Sequence, residues 1–393
     1  MPDFAQSMEK TRSELFDRIA DYTFNAYRWV CSGAPDILQP KSPHLNIDLL
    51  EYQRLNHPLY QRYCEIHGVT QRGKSILDYP PLPVESFKRK DLCPFDDSLT
   101  IAEFHSSGTT EKLRSIHKFR DLGLMQRSIF FTFTMFIAPL MPANTRILSL
   151  MPSREDNPHS SLGFMISEFV HAMGGPGSKS YFSMENGLDI EGICTQIQLA
   201  EQENTPVHLM GPAFAYVEFL DKLGDRHFHC PPGSALLETG GYKGKSREIP
   251  KSELRDELAN HLGIERRAIY GEYGMCELSS QGYEICARNL RSDLPEEGLF
   301  IFPPWLKCLI YNPENMSPMA PDADGQIAFF DLCNLDSAAF ILTGDIGRLV
   351  SLNGDLQNRL PGHPNFALKL YGRAPTAIPK GCSMAWDEWV SGH

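Results

Sequence analysis

The chain has 393 residues, of which 42% are hydrophobic and 10% aromatic, so it can bury the core of a globular protein. It carries 37 Lys and Arg residues against 49 Asp and Glu residues, a formal net charge of −12. This acidic balance argues against nonspecific attachment to nucleic acid or to an anionic membrane surface. A nucleotide can still bind, because local hydrogen-bond donors matter more than net charge.

The first 100 residues are predicted to be mostly helical. Residues 8–30 show helical periodicity through Leu15, Ile19, Phe24 and Tyr27. A second helical stretch is predicted near Leu49 to Tyr63. The proline-rich run from Tyr79 to Pro83 then interrupts regular structure. These residues form a helical lead-in to the domain that follows.

The most apolar window of the chain runs from Ile129 to Ala138. It is too short to cross a bilayer, which takes about 20 apolar residues. It therefore predicts a core helix, with Asp121 as a candidate N-cap and an end before Pro139. The start of the chain has neither a basic nor an apolar stretch, and the ten cysteines lack the spacing of a disulfide framework. We expect a cytoplasmic protein without a membrane span.

The middle of the chain predicts an α/β fold. Apolar runs at residues 147–150, 207–210 and 235–237 alternate with amphipathic stretches, as parallel strands do when crossover helices connect them. After Gly298, β-like runs such as 326–330 indicate a smaller β subdomain. The predicted core with this subdomain spans residues 101–371, and a hinge with a short tail follows at 372–393.

Gly and hydroxyl residues follow the predicted strand 101–104, in a pattern that can wrap the phosphates of a nucleotide with backbone N–H groups and hydroxyls. They are Ser106, Ser107, Gly108, Thr109 and Thr110. The run lacks the Gly-Lys-Ser/Thr ending of a Walker P-loop. Arg114 lies a few residues beyond it and can reach a phosphate through two N–H groups. The run is a candidate triphosphate loop.

Three further segments complete the candidate nucleotide site. Gly240, Gly241 and Tyr242 follow an apolar run, where a flat ligand can approach the backbone. Tyr273 offers a ring that can stack on a purine, with Gly274 and Met275 after it. Glu277 supplies a carboxylate of the kind that holds Mg²⁺, and Asp345 can accept hydrogen bonds from ribose hydroxyls.

In combination and order, these motifs resemble those of the adenylate-forming superfamily of acyl-CoA synthetases and adenylation domains. Within it, the chain most resembles the LuxE-type acyl-protein synthetases. The segments that carry the resemblance are Pro83–Lys88, Ser106–Ser115, Leu148–Ser153 with Ser160–Leu162, Thr239–Gly244, Tyr273–Glu277, Thr343–Gly347 and Gly381–Ser383. The resemblance implies a large adenylate-forming N-terminal domain with α/β layers and a smaller β subdomain, and a C-terminal domain reduced to a short tail.

The resemblance also implies a role for each position. Residues 106–110 would hold the triphosphate of ATP, and Gly240 and Gly241 with Tyr273 would flank adenine. Glu277 would bind Mg²⁺, Asp345 the ribose, and Arg373 would lie at the hinge beside the nucleotide. Two positions depart from the family pattern: Glu111 stands where Gly is usual, and Arg114 replaces the customary Lys.

In the resembling acyl-protein synthetases, a cysteine near the C-terminus accepts the acyl group, and Cys382 stands at the matching place. Typical acyl-CoA synthetases continue into a further domain of roughly 100 residues that supplies a lysine for adenylation. Here Lys369 and Lys380 are the candidates to replace it. Lys380 lies two residues from Cys382, where its charge can lower the thiol pKa from about 8.5.

We therefore expect an acid-activating, AMP-forming ligase that uses ATP and Mg²⁺ on a small carboxylic acid, in particular a fatty acid. Cys382 would take the acyl group and pass it to a partner protein such as a reductase or a carrier protein. Two alternatives stay open from the sequence. One is a stand-alone ligase that delivers the acyl group to coenzyme A, an amine or a carrier protein, and the other is a non-catalytic nucleotide-binding protein.

Overall fold

The computed structural model describes residues 2–33, 44–89, 92–106, 114–240, 247, 249–285, 297–352, 354, 357, 360 and 364–373. The helices are α1 (Pro2–Ser32), α2 (Leu45–Asn56), α3 (Pro58–Ile66), α4 (Gly123–Phe136), α5 (Ser161–Met173), α6 (Ile190–Glu203), α7 (Ala213–Leu223) and α8 (Lys251–Leu262). The strands are β1 (Leu82–Pro83), β2 (Ala102–His105), β3 (Ile116–Phe119), β4 (Arg146–Ser149), β5 (Lys179–Ser180), β6 (Phe182–Ser183), β7 (Gly187–Leu188), β8 (Val207–Pro212), β9 (Ala235–Thr239), β10 (Ile269–Tyr273), β11 (Gly282–Glu284), β12 (Leu299–Ile301), β13 (Leu306–Tyr311), β14 (Asp324–Asp331), β15 (Phe340–Ser351) and β16 (Phe366–Arg373).

Backbone contacts divide the chain into two units. The first unit comprises Met1–Phe131, Cys276–Gln281 and Leu299–His393, and the second comprises Thr132–Met275 and Gly282–Gly298. The chain thus leaves the second unit for six residues after β10 and then returns to it. This short excursion includes Glu277.

The first unit contains an antiparallel sheet in the order β13-β14-β15-β16-β12, and β1 pairs in parallel with β15. Strands β2 and β3 form a separate hairpin. The β-strands predicted after Gly298 are therefore present, and they belong to the same unit as the N-terminal helices. Its strands are apolar where they are buried, as in Ile327–Phe330, because both faces of β14 are covered there.

Helix α1 confirms the predicted N-terminal helix, although its buried face differs from the prediction. Leu15 and Ile19 are buried as expected, but the stripe continues through Thr23, Ala26 and Val30, while Phe24 is exposed. The predicted helical stretch from Leu49 to Tyr63 is two helices, α2 and α3. The chain breaks at His57 because Pro58 has no N–H to donate and starts the new helix.

The second unit contains the predicted parallel core. Strands β5, β4, β8, β9 and β10 lie side by side and parallel, and β11 adds to β10 in antiparallel orientation. Helix α5 packs on β4 and α7 on β8. Helix α6 begins at an N-cap, Asp189, which accepts a hydrogen bond from the Gly192 N–H at 2.8 Å. The predicted fold class, an α/β fold with a β subdomain, is confirmed.

Helix α4 confirms the prediction for the apolar window, and the division between the two units falls within it. Its first N–H groups include that of Gly123, which donates to the Asp121 carboxylate at 2.7 Å. Among the helices that the structure describes, none is both long and apolar enough to cross a bilayer. All eight cysteines among the described residues are free thiols.

A buried ion-pair network joins three strands of the second unit. Arg255 on α8 donates to Glu238 on β9 at 2.6 Å and to Glu284 on β11 at 2.5 Å. Glu284 also accepts the Gly271 N–H of β10 at 2.7 Å. Burial opposes ionisation of Glu284, yet its hydrogen bonds and attraction to Arg255 hold its pKa below the usual range.

Removing Arg255 should be far more damaging than removing its neighbour Lys251. Arg255→Met leaves two buried carboxylates without their shared cation, so we expect a loss of about 3–5 kcal/mol in the free energy of unfolding. Lys251→Met is the matched control, because Lys251 contacts the same Glu238 oxygen at 2.8 Å but its side chain is 52% exposed. Urea unfolding followed by circular dichroism measures both. Equal losses in the two variants would contradict this account of the network.

Candidate active site

The predicted triphosphate loop has a fixed base at the end of the β2–β3 hairpin. The Ser106 N–H donates to the Ser115 carbonyl oxygen at 3.0 Å, and the Ser115 N–H donates to the Ser106 Oγ at 2.9 Å. Arg114 is exposed on the returning side of the loop. Ser107, Gly108, Thr109, Thr110 and Glu111 lie outside the described residues. The two serines therefore define where the loop begins and ends.

Glu277 is connected to this base. Its residue is 5% exposed, and the Ser115 hydroxyl donates a hydrogen bond to its carboxylate. Burial raises the pKa of Glu277; the Ser115 hydrogen bond and the positive charge of Arg373 oppose the rise, and the negative charge of Glu85 adds to it. A cation bound here would offset the cost of burying the carboxylate. The site thus suits a hard divalent ion, which prefers carboxylate, water and phosphate oxygens.

Asp345 and Arg373 face each other on neighbouring strands. They are paired in the register of β15 and β16, and Arg373 Nε lies 4.0 Å from Asp345 Oδ1. The Asp345 N–H is held by the Thr343 Oγ at 3.1 Å, so the backbone around the carboxylate is fixed. The Arg373 side chain is 88% exposed, and an ion pair this open adds little to stability. Both groups can instead interact with a ligand.

The structure therefore brings several of the predicted residues of the first unit into one neighbourhood. Ser106 and Glu277 both contact Ser115. The Arg373 guanidinium lies 4.0 Å from the Asp345 carboxylate, and its positive charge opposes the rise in the pKa of Glu277. Lys369 lies elsewhere on β16, where it pairs in register with Arg348, three positions along β15 from Asp345. Lys380 and Cys382 lie outside the described residues.

The second unit holds the residues predicted to flank adenine. Thr239 and Glu272 are paired at the ends of the parallel strands β9 and β10, and the Thr239 hydroxyl donates to the Glu272 carboxylate. Gly240 follows with φ at +64°, a left-handed conformation that favours glycine. Tyr273 ends β10 and is buried, Gly274 is exposed and Met275 half-buried. Gly241 and Tyr242 lie outside the described residues.

Gly240 and Tyr273 lie where α/β folds usually bind ligands. In open parallel sheets, ligands bind outside the carboxyl ends of the strands. Gly240 and Tyr273 both lie at that edge, one residue beyond a paired position. They are thus where a ligand of the second unit would be expected.

Sequence reasoning missed the polar side chains that hold the Glu277 segment in place. His117 on β3 contacts the Cys276 carbonyl oxygen through Nδ1 at 3.0 Å and the Ser337 Oγ through Nε2 at 2.8 Å. Because a carbonyl can only accept, Nδ1 carries the proton and Nε2 accepts from the Ser337 hydroxyl. Asp331 and Asn334 bind the backbone of the same segment. The available signal was three polar residues, Asp331, Asn334 and Asp336, at the end of the apolar strand β14 and in the turn that follows it.

Burial lowers the pKa of His117 to about 4, although its bond to the Cys276 carbonyl favours the charged form. The pKa of this histidine is about 6.5 in the unfolded chain and about 4 in the folded chain. The contribution of neutral His117 to the free energy of unfolding is therefore complete above about pH 6.5 and is lost as the pH falls towards 4. Between these pH values, we expect His117→Gln to reduce the slope of the free energy of unfolding against pH by roughly 1.4 kcal/mol per pH unit, which corresponds to one proton. Urea unfolding from pH 4 to 7.5 measures the slope. The exposed His171→Gln is the control, and an identical slope in both variants would refute the assignment.

No protein-family model matches the chain. It is similar to a long-chain-fatty-acid–luciferin-component ligase of Vibrio harveyi, with 21% identity over 346 residues that cover 86% of this chain and 85% of that ligase. A ligase of the same name from Aliivibrio fischeri is 20% identical over 337 residues, covering 83% and 82%. The resemblance inferred from the motifs is thereby confirmed as homology over most of the chain.

The fold is also that of a solved ligase. A 2-hydroxyisobutyryl-CoA ligase, determined with 2-HIB-AMP and CoA, superposes with a TM-score of 0.54 at 11% identity and covers 84% of this chain and 68% of its own. MatB from Rhodopseudomonas palustris, determined with ATP, has a TM-score of 0.47 at 14% identity and covers 70% of this chain. The chain spans about half the length of MatB, 48%.

Proposed function

We propose that this chain, a homologue of the luciferin-component ligases with the fold of an acid–CoA ligase, is itself an ATP-dependent, AMP-forming acid ligase. The observation that supports the proposal best is the agreement of two independent findings. Similarity to acid ligases extends over 86% of the chain, and within it the predicted loop base and Glu277 are joined through Ser115.

In the first step, a carboxylate oxygen of the acid attacks the α-phosphorus of ATP. A bond forms between that oxygen and the α-phosphorus, the bond from the α-phosphorus to the oxygen that bridges to the β-phosphorus breaks, and pyrophosphate leaves. Residues 106–110 and Arg114 hold the triphosphate through backbone N–H groups, hydroxyls and the guanidinium. Asp345 accepts from the ribose hydroxyls and Arg373 lies beside the nucleotide. The chain thereby aligns the reactants and balances the phosphate charge.

The residues proposed for the adenine are those that the resemblance assigns to it. Glycine at positions 240 and 241 would let a flat ring approach the backbone, and Tyr242, Tyr273, Gly274 and Met275 are the further residues proposed to bind it. The segment that starts at Tyr273 continues without interruption to Glu277, four residues later.

Glu277 is the proposed ligand for Mg²⁺. Its burial, its hydrogen bond from Ser115 and its raised pKa fit a carboxylate whose charge is to be offset by a cation. The ion, when bound, would neutralise charge on the phosphates and orient them for in-line displacement. Ser115 fixes the carboxylate at the loop base.

In the second step, the Cys382 thiolate attacks the acyl carbon, forms a thioester and releases AMP. The thiol proton goes to solvent or to a nearby base, and Lys380 favours the thiolate by its charge. The acyl group then passes to a partner protein such as a reductase or a carrier protein. Lys380 and Lys369 are the candidate lysines of this chain to assist adenylation by their charge. The acid is proposed to be a fatty acid.

The test is acid-dependent exchange between radioactive pyrophosphate and ATP, measured with a panel of acids from acetate to stearate and with benzoate. We expect at least one fatty acid to raise exchange well above the acid-free rate, and the best acid identifies the substrate. If no acid raises it, the proposed adenylation is refuted.

A further inference from the structure

The segment Cys276–Gln281 lies in the first unit and belongs to no helix or strand, yet all six of its residues are buried. Buried N–H and C=O groups must find partners, because an unpaired one costs about as much as a lost hydrogen bond. Here the partners are side chains from distant parts of the unit. Those side chains therefore decide where the segment lies, and with it Glu277.

Asp331, the last residue of β14, accepts hydrogen bonds from four donors. Its Oδ2 accepts the N–H groups of Ser279 and Ser280, both at 2.9 Å. Its Oδ1 accepts the Ser280 hydroxyl at 2.8 Å and the Cys333 N–H at 2.9 Å. One carboxylate thus fixes the second half of the segment and also the turn that follows β14.

Asn334 holds the first half. Its Nδ2 donates to the Glu277 carbonyl oxygen at 2.8 Å and to the Ala338 carbonyl oxygen at 2.9 Å. Its Oδ1 accepts the Ser279 N–H at 3.0 Å. The amide therefore binds the backbone of Glu277 itself, and both its N–H donors and its oxygen are used.

The turn that carries Asp331 and Asn334 is itself anchored. Gln53 on α2 donates to the Asn334 carbonyl oxygen at 2.7 Å and accepts the Ala339 N–H at 3.0 Å. Arg12 on α1 forms a buried ion pair with Asp336. Residues of α1 and α2 therefore fix the position of the turn, and the turn in its place holds the Glu277 segment.

From this arrangement, and on the basis of the proposed function, we infer that Asp331 and Asn334 are positioning residues for the adenylation reaction. They touch no reacting atom; they act by fixing the backbone on both sides of Glu277, so that its carboxylate stays at the loop base beside Ser115. Residues that orient a metal ligand in this manner typically change metal affinity or activity by about 10–100-fold when they are replaced.

The test is a double-mutant cycle in the pyrophosphate exchange assay, with Asn334→Ala, Glu277→Gln and the combination. If Asn334 acts through Glu277, we expect Asn334→Ala alone to slow exchange or raise the half-saturating Mg²⁺ concentration by about ten-fold or more. In the Glu277→Gln background, it should change either quantity by less than about two-fold, because the group it positions is gone. Asp331→Asn takes the place of Asn334→Ala if the latter does not fold.

Ile310→Ala is the control for destabilisation alone, since Ile310 is buried in β13 and pairs with Ile327, four positions from Asp331. We expect it to leave the Mg²⁺ dependence unchanged. Additive effects of Asn334→Ala and Glu277→Gln, or an Mg²⁺ dependence of Asn334→Ala equal to that of Ile310→Ala, would overturn the inference alone. Absence of exchange in the unaltered protein would overturn the proposed function, and the inference with it.

Discussion

Glu277→Gln is expected to lower acid-dependent pyrophosphate exchange by about 100-fold or more without lowering the stability of the protein. Most substitutions of buried acids cost stability. This one differs because burial already disfavours the charge of Glu277, as its raised pKa indicates. The glutamine oxygen can still accept the Ser115 hydroxyl, so the local hydrogen bond survives.

The sign of the stability effect follows from linkage. A carboxyl whose folded pKa lies above its unfolded value opposes folding at pH values where it is ionised in the unfolded chain. A neutral side chain of the same shape removes that opposition, so the free energy of unfolding at pH 7 should stay equal or rise. Exchange falls because the charge that would hold the cation is gone. Urea unfolding and the exchange assay, run on one preparation, measure both quantities.

Glu51→Gln is the matched control for this experiment. Glu51 on α2 is paired with Arg54 at 2.6 Å and accepts the Tyr79 hydroxyl at 3.1 Å, and its pKa is lowered chiefly by the Arg54 hydrogen bond. We expect the opposite outcome, a lower stability with exchange retained. If Glu277→Gln keeps full exchange, or loses stability as Glu51→Gln does, the role given to Glu277 is wrong.

Cys382→Ser is expected to abolish covalent labelling of the protein by radioactive acid and ATP, from about one acyl group per chain to none. Pyrophosphate exchange should persist, because adenylation precedes the thiol step. A serine hydroxyl is a far weaker nucleophile than a thiolate near neutral pH. Label that hydroxylamine releases from the unaltered protein identifies a thioester.

Cys31→Ser is the control for nonspecific thiol acylation, since Cys31 is an exposed thiol on α1. It should keep the full label. Equal labelling of Cys382→Ser and the unaltered protein would exclude Cys382 as the acceptor. Loss of exchange together with label would instead mean that the cysteine is needed for adenylation itself.

Much of the fold could be predicted from local pattern. The strands β4, β8 and β9 were found because parallel strands covered on both faces appear as short continuous apolar runs. Helix α4 was predicted from a long apolar window; the predicted N-cap, Asp121, lies two residues before the helix, and its carboxylate accepts the Gly123 N–H. The prediction failed at His57, where a stretch that looked like one helix divides because Pro58 begins a new one.

The candidate site was only partly predictable. Glu277 and Asp345 lie in short motifs whose order along the chain carries information. His117 and Asn334 lie in no such motif and in no helical or strand periodicity that marks them. They are 159 and 57 residues away along the chain from the carbonyl groups they bind. Their role arises from an irregular buried segment, whose need for hydrogen-bond partners is visible only once the chain has folded.

The most direct test of the central claim is a single-turnover quench of Cys382→Ser with ATP labelled at the α-phosphate, Mg²⁺ and the preferred acid. Because the acceptor thiol is missing, we expect acyl-adenylate to accumulate on the protein, with unlabelled pyrophosphate as the other product. Labelled ADP, or labelled products that do not depend on the acid, would contradict the claim that this chain joins carboxylic acids to AMP.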